Sequence, residues 1–332
     1  MFSAERTRRR RLLLKILPLG AMPVPMMHAA AAEAPAGNRP LALVLPFPPG
    51  GSVDIVARQL QPGLKAALGQ TVVVDNKPGA GGLIASSTVA RAKPDGSTLL
   101  MAFDTHAINP FAYKQLPYDT FHDFTPISQL VRFPLVIAAN PSLPAANVRE
   151  LVALAKAKPD SVRYASSGIG SLNQLAAEAL ATEGGMHMLH VPYKGGGPAV
   201  QAVLANEVDL FFSSYAAIQA HVAARTIKVL GVTGTRRLRQ LPQVPTVAEQ
   251  GLKGFEAYSW IGVFGPANLP VATVTRIHDA LVESLRQPRV VDALAAQGFE
   301  IVGGSPADLG KLVRQEHDKW QAVARKANIQ FE

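Results

Sequence analysis

Strand-like and helix-like runs alternate along nearly all of this 332-residue chain, and several of the turns leading from a strand into a helix are rich in glycine, proline and serine. Such alternation leads to parallel sheets covered by helices. Strands are expected at Leu41–Leu45, Val72–Asp75, Thr98–Ala102, Leu135–Ala139, Arg163–Ala165, Asp209–Phe212, Lys228–Val232 and Ser259–Phe264. Helices are expected at Asp54–Leu68, Gly82–Ala92, Asn147–Lys158, Leu172–Glu183, Pro198–Ala205, Ala216–Ala224, Val271–Leu285 and Pro306–Ala327. The chain is expected to cross between domains near Ala139-Asn140-Pro141 and again near Tyr258–Pro266. Residues 40–140 with 258–332 then form one domain, 141–257 form a second inserted into it, and a cleft lies between them. Ligands of open α/β sheets sit at the carboxyl ends of strands, so the strand-to-helix loops are where a site belongs.

The most informative of these loops is Pro46-Phe-Pro-Pro-Gly-Gly-Ser52, which joins the strand Leu41–Leu45 to a helix whose Val53, Val56, Leu60 and Leu64 share one face. Its prolines stiffen the approach, and Gly50 and Gly51 let a ligand reach the main chain. Ser52 stands where an N-cap belongs. The free N–H groups and positive dipole end of such a helix attract carboxylate or phosphate. Tyr164-Ala-Ser-Ser-Gly-Ile-Gly-Ser-Leu repeats the same physics in the middle segment, with Ser167, Gly168, Gly170 and Ser171 at the turn. Two such helix ends, one in each expected domain, could grip one anion from both sides.

The first 32 residues have the three parts of a secretory signal peptide: Arg6 and Arg8 to Arg11, an apolar stretch to Met27, and a small-residue site with cleavage expected after Ala32. Within it Arg10-Arg11-Leu-Leu-Leu-Lys15 resembles a twin-arginine export motif. The leader holds six basic residues and one acidic residue, so its +5 leaves +4 of the chain's +9, too mild a charge to argue for nucleic acid. There is no cysteine, which excludes disulfides, thiolate metal sites and a lipoprotein anchor. An exported, periplasmic protein that is not lipid-anchored is expected.

Other motifs are weaker. Asp75-Asn-Lys-Pro-Gly-Ala-Gly-Gly82 lacks the spacing of a nucleotide loop and is expected to be a packing turn. Pro192-Tyr-Lys-Gly-Gly-Gly-Pro198 opens another helix, with Tyr193 facing a cleft and Lys194 solvated. Thr105 and His106, after the Thr98–Ala102 strand, are cleft candidates for hydrogen bonding, as are Ser213 and Ser214. His187 and His190 would face opposite sides of a strand, which spoils a shared metal site. No metal, no cofactor and no nucleophile–base pair is expected, so the chain is not read as an enzyme.

Pro46-Phe-Pro-Pro-Gly-Gly-Ser-Val-Asp54, Asp75–Gly82, Lys93-Pro-Asp-Gly96, Val191-Pro-Tyr-Lys-Gly195 and Leu241-Pro-Gln-Val-Pro-Thr-Val-Ala-Glu-Gln-Gly251 together resemble the Bug family, the substrate-binding receptors of tripartite tricarboxylate transporters. The resemblance runs from Pro40 to the C-terminus. It implies an α/β fold of the two-domain periplasmic binding protein type (type II-like), each domain a mostly parallel sheet flanked by helices, with the ligand cleft between. It also implies a small carboxylate ligand, a di- or tricarboxylate, acidic amino acid or aromatic acid, delivered by a monomeric receptor to membrane transporter subunits. Carried over by motif, Phe47, Pro48, Gly50, Gly51, Ser52 and Asp54 would hold the ligand from one side and Ser167, Gly168, Gly170 and Ser171 from the other. The family's usual histidine after the second loop is replaced by Gln174. Thr105, His106, Tyr193, Ser213 and Ser214 are the candidates for the ligand's remote end. The alternatives are a receptor that presents its ligand to a sensor kinase and, in a different class, an exported enzyme acting on a carboxylic acid.

Overall fold

The structure, a computed structural model, describes residues 39–331; the leader expected at residues 1–32 lies outside them. In chain order the elements are β1 Leu41–Leu45, α1 Ser52–Leu68, β2 Val72–Asn76, α2 Leu83–Ala90, β3 Thr98–Phe103, α3 Thr105–Ala112 and β4 Phe124–Ala139. There follow α4 Val148–Ala157, β5 Arg163–Ser166, α5 Leu172–Gly184, β6 Leu189–Pro192, α6 Gly196–Leu204, β7 Leu210–Ser214, α7 Tyr215–Ala223 and β8 Lys228–Val232. The chain ends with β9 Tyr258–Pro266, α8 Val271–Leu285, α9 Pro288–Ala296, β10 Glu300–Ile301 and α10 Pro306–Lys326.

The strands lie in the order β2-β1-β3-β9-β4-β7-β5-β6, with β8 and β10 also paired to β4. Each half has its own parallel part: β1 with β2 and β3, and β5 with β6 and β7. The antiparallel pairings all involve the long strands β4 and β9. β4 is 16 residues long. Phe124–Pro134 pair with β9, and from Leu135 onward the partners become β7 and β8. The change of partners therefore falls inside a strand, between Pro134 and Leu135, rather than in the loop after Ala139.

Thr233 ties the two long strands together at that point. Its buried hydroxyl accepts from Leu135 N at 2.8 Å and donates to Ala257 O at 2.6 Å, just before β9. Main-chain bonds from Thr233 N to Leu135 O and from Ala257 N to Thr233 O complete the knot.

Helical spacing and caps explain the flanking layer. α1 buries Val53, Val56, Ala57, Leu60 and Leu64, and each large apolar side chain contributes roughly 1.5–3 kcal/mol. It ends at Gly69, left-handed at φ 65°. Pro62-Gly63 survives inside this helix because α8 packs there: a Cβ on Gly63 would lie 2.7 Å from Ser284 Oγ. The core is continuous across β4, with Leu43 and Met101 of the first half and Tyr164, Leu175 and Phe212 of the second in one cluster. α10, capped by Ser305 and anchored by buried Trp320, packs on α3, β4 and α5.

Four elements and half of a fifth are not marked by the sequence pattern. α3 carries Pro110 inside only eight residues. β6 is an edge strand with no buried residue, and β10 has two residues. α9 follows α8 after only two residues, and the first half of β4 contains Pro126, Pro134 and two register shifts.

Replacing Thr233 by Val keeps the shape but leaves Leu135 N–H and Ala257 C=O without a partner. A loss of about 1–3 kcal/mol per orphaned group is expected in urea unfolding. An unchanged midpoint would show that the hydroxyl does not hold the crossing.

Candidate functional site

The first loop is held open by an aspartate beneath it. α1 begins at Ser52, so its N-cap is Gly51, in an extended conformation (φ −78°, ψ 171°) and without a side-chain cap. Ser52 is therefore the first helical residue, not the cap expected from the sequence. The N–H groups of Ser52, Val53 and Asp54 have no intrahelical acceptor. Gly50 takes φ 88°, a left-handed conformation that favours glycine.

Asp54 is only 4% exposed, and it accepts from Gly50 N at 3.0 Å, Arg58 Nε at 2.8 Å and Asn76 Nδ2 at 3.2 Å. Burial works against its charge, but the bonds from Arg58, Gly50 and Asn76 and the Arg58 charge hold its pKa below the usual value. Asn76 Nδ2 also donates to Phe47 O. Asp54 is thus a brace whose oxygens are spent inside the loop; as a ligand contact it is corrected.

The second loop is braced in the same way by other residues. Gly168 (φ 133°) and Gly170 (φ 76°) make a turn that side chains rarely adopt. Ser171 caps α5 by position, but its hydroxyl donates to Gly168 O at 2.7 Å and leaves the first N–H groups of the helix uncapped. Gly170 N donates to Gln174 Oε1 at 2.8 Å, Gln174 Nε2 lies 3.3 Å from His190 Nδ1, and His190 Nε2 lies 2.6 Å from Ser166 Oγ. Ser166 Oγ donates to Gly168 O, so the consistent assignment puts the imidazole proton on Nε2 and lets Nδ1 accept. Burial pushes His190 down to about 4, which keeps it neutral. Ser167 Oγ donates to Asn173 Oδ1, and Asn173 Nδ2 donates to Phe212 O, which ties the start of α5 to β7.

The remaining candidates separate. Ser214 caps α7 by accepting from Ala217 N, and its Oγ meets Ser52 Oγ at 3.4 Å, so the starts of α1 and α7 touch. Thr105, partly exposed, opens α3 beside Gly82 and Pro46. Gly170 lies against Ala112, at the far end of α3, where an added Cβ would come within 3.0 Å. These contacts set Ser52 beside Ser214 and Thr105 beside Gly82 and Pro46, and bring the second loop to the other end of α3 through Gly170, so that the two loops meet shared elements, α3 and β7.

Three candidates take no part in these contacts. His106 is 2% exposed among Tyr118, Phe124 and Phe264, its ring nitrogens have no partner, and burial pushes it down to about 3. It is a core aromatic, not a cleft residue. The Tyr193 hydroxyl is directed to Glu207 at 3.4 Å, before β7, although its carbonyl adjoins Gly168. Ser213 is 2% exposed within β7, where it pairs Val136.

Sequence reasoning named Gln174 and His190 for other reasons and missed that they, with Asn76 and Asn173, brace the loops, because most of these contacts reach partners distant in sequence. It also missed Asp104, which is 1% exposed at the end of β3 and bonded to Ser259 of β9. Burial drives the Asp104 pKa up to about 7, against the Ser259 bond, and Glu316 adds repulsion. Between the ordinary 3.8 and about 7 the folded chain keeps a proton that the unfolded chain releases, so this group lowers stability as pH rises through that window. Asp104→Asn should therefore gain in melting temperature relative to wild type from pH 4 to about 7 and level off above. A difference that does not vary with pH would refute a buried, protonated Asp104.

The chain is similar to known proteins over most of its length. The model of the tripartite tricarboxylate transporter family receptor matches residues 56–329. A UPF0065 protein from the tcbD–tcbE intergenic region of Pseudomonas sp. strain P51 is 37% identical over 86% of this chain and 85% of its own. Protein BugT of Bordetella pertussis is 33% identical over 88% and 90%. Among solved structures, R. palustris Rpa4515 with adipate superposes with a TM-score of 0.83 at 33% identity, covering 89% of this chain and 99% of its own. The fold is that of two-domain α/β periplasmic binding proteins. With its sequence and its architecture in agreement, the chain belongs to the tripartite tricarboxylate transporter receptor family, that of the Bug proteins.

Proposed function

We propose that this protein is a periplasmic solute-binding receptor that captures a small carboxylate between the Phe47–Ser52 and Ser167–Ser171 loops and delivers it to a membrane transporter. The lobes formed by residues 40–140 with 258–332 and by 141–257 close on the ligand. The observation that carries this reading is that α1 and α5 both begin without a side-chain cap, at loops whose glycines expose the main chain. Helix N–H groups and hydroxyls are charge-assisted donors to a carboxylate and need no arginine. Water excluded on closure strengthens them. Asp54 and His190 serve this grip without touching the ligand, since each fixes a loop from behind. Ser166, the hydroxyl set against His190 beside the second loop, is fully buried and donates to Gly168 O, and the receptor reading requires no nucleophile.

The likeness to an adipate-bound relative supports a carboxylate as the ligand class. Among the described residues no helix is long and apolar enough to cross a membrane.

Gly51 offers a test that separates binding from folding. A Cβ there meets only Pro48 O at 3.8 Å, and the backbone is extended, so Gly51→Ala should fold and bind nearly as wild type. Gly51→Asp places a carboxylate where the ligand's belongs; as an N-cap it should preserve stability while weakening carboxylate binding at least tenfold. A ligand at a hundred times its Kd should stabilise the wild type by about 2.7 kcal/mol, readable as a melting shift. Undiminished binding by Gly51→Asp would sink the two-loop grip.

A further inference from the structure

The chain after α10 turns back on itself and reaches the second loop. α10 closes at Ala327 with a turn in which Asn328 takes φ 51°, Asn328 N donates to Arg325 O at 3.2 Å and Ile329 N donates to Ala324 O at 3.0 Å. A left-handed residue with this pair of main-chain bonds stops a helix and redirects the chain, and asparagine adopts that conformation more readily than most residues. Ile329 and Phe331 are thereby packed back against the core. Phe331 stands edge-on to Phe111 of α3, with ring centroids 5.7 Å apart. Phe111 also meets the ring of His317 of α10 at 5.4 Å, and His317 Nδ1 lies 3.1 Å from Ala107 O. α3 is thus held by both α10 and the segment that follows it.

Phe331 also meets the second loop itself. A Cβ on Gly170 would stand 3.0 Å from Ala112 Cβ and 3.6 Å from Phe331 Cε1, so the methyl at the end of α3 and the ring occupy the side of the turn where a side chain would lie. Gly170, at φ 76° and without a Cβ, lets them approach. Its N–H is held separately, by Gln174 Oε1 at 2.8 Å. Among the described residues β5 pairs with β6 and β7, and β3 with β1 and β9, so no ladder joins the strands that carry the two loops to one another at this point. α3 does so instead. It begins at Thr105 beside Pro46 of the first loop and Gly82, ends at Ala112 beside Gly170, and its eight residues rise about 12 Å.

Resting on the receptor reading above, we infer that Phe331 is a positioning residue of the ligand site: it clamps Gly170 onto the end of α3, and so fixes where the start of α5 stands relative to the start of α1. The ring acts through Gly170 and not on the ligand. Phe331 is only partly buried, so its removal takes little from the core and the consequence falls on the turn it touches.

The test compares wild type, Phe331→Ala and Phe331→Tyr by native-state amide exchange without ligand and by calorimetric titration with adipate. In Phe331→Ala the amides of Gly170 and Ser171, bonded to Gln174 Oε1 and Gly168 O, should exchange at least tenfold faster, whereas that of Ile55, bonded to Gly51 O, should stay within twofold of wild type. The same variant should bind adipate at least threefold more weakly, and Phe331→Tyr, which keeps the ring, should restore both properties. Unchanged exchange at Gly170 and Ser171 would overturn the clamp. So would an equal rise at Ile55, the result of a merely structural role. Faster exchange with undiminished adipate affinity would overturn the tie to the ligand site and leave the receptor reading standing. If the wild type binds no adipate, the exchange rates alone decide the clamp, and it is the carboxylate reading that fails for this acid.

Discussion

The pairing of β4 with β9 is the constraint on which the rest depends. Two parallel half-sheets cannot share a core unless chain passes between them, and here a 16-residue strand does so while its neighbour runs antiparallel to it. Because β4 keeps its ladder on both sides of Pro134, the passage is itself sheet and not loop. That fixes where strand ends from the two halves meet. The hydroxyl of Thr233 supplies the local lock, since it satisfies groups of both connecting segments with one buried atom.

On that frame the site is built from main chain. Each of the two loops has a polar brace behind it, and the two braces differ in chemistry. The first is ionic, with Asp54 held between Arg58, Asn76 and Gly50 N. The second is neutral, a relay from Gly170 N through Gln174 and His190 to Ser166. In both, the side chains are consumed in shaping a turn, so that under the proposed carboxylate reading peptide N–H groups and not side-chain charges would meet the ligand. An exposed turn rich in glycine would otherwise be mobile.

The supporting layer was far less legible in the sequence than the loops. Alternating apolar runs gave β1, β8 and α8 to the residue, because those elements bury a regular face. The Phe47–Ser52 and Ser167–Ser171 loops were legible because glycine and proline mark turns with a physical reason. His106 was misread because a polar residue after a strand resembles a site residue, and only packing reveals that three aromatic rings surround it. Tyr193 and Asp54 were misread for a related cause. Their polar atoms bond to Glu207 in one case and in the other to Arg58, one helical turn on and legible as an i,i+4 pair, and to Asn76, which spacing does not single out.

The contact between Ser52 and Ser214 carries a consequence for energetics. Two neutral hydroxyls at 3.4 Å join the start of α1 to the start of α7, and such a bond is worth little net because water offers each partner an equal alternative. A latch this weak leaves the two helix ends nearly free to part and rejoin. Under the receptor reading proposed above, the energetic distance between gripping and releasing would then be set by the guest and not by the host.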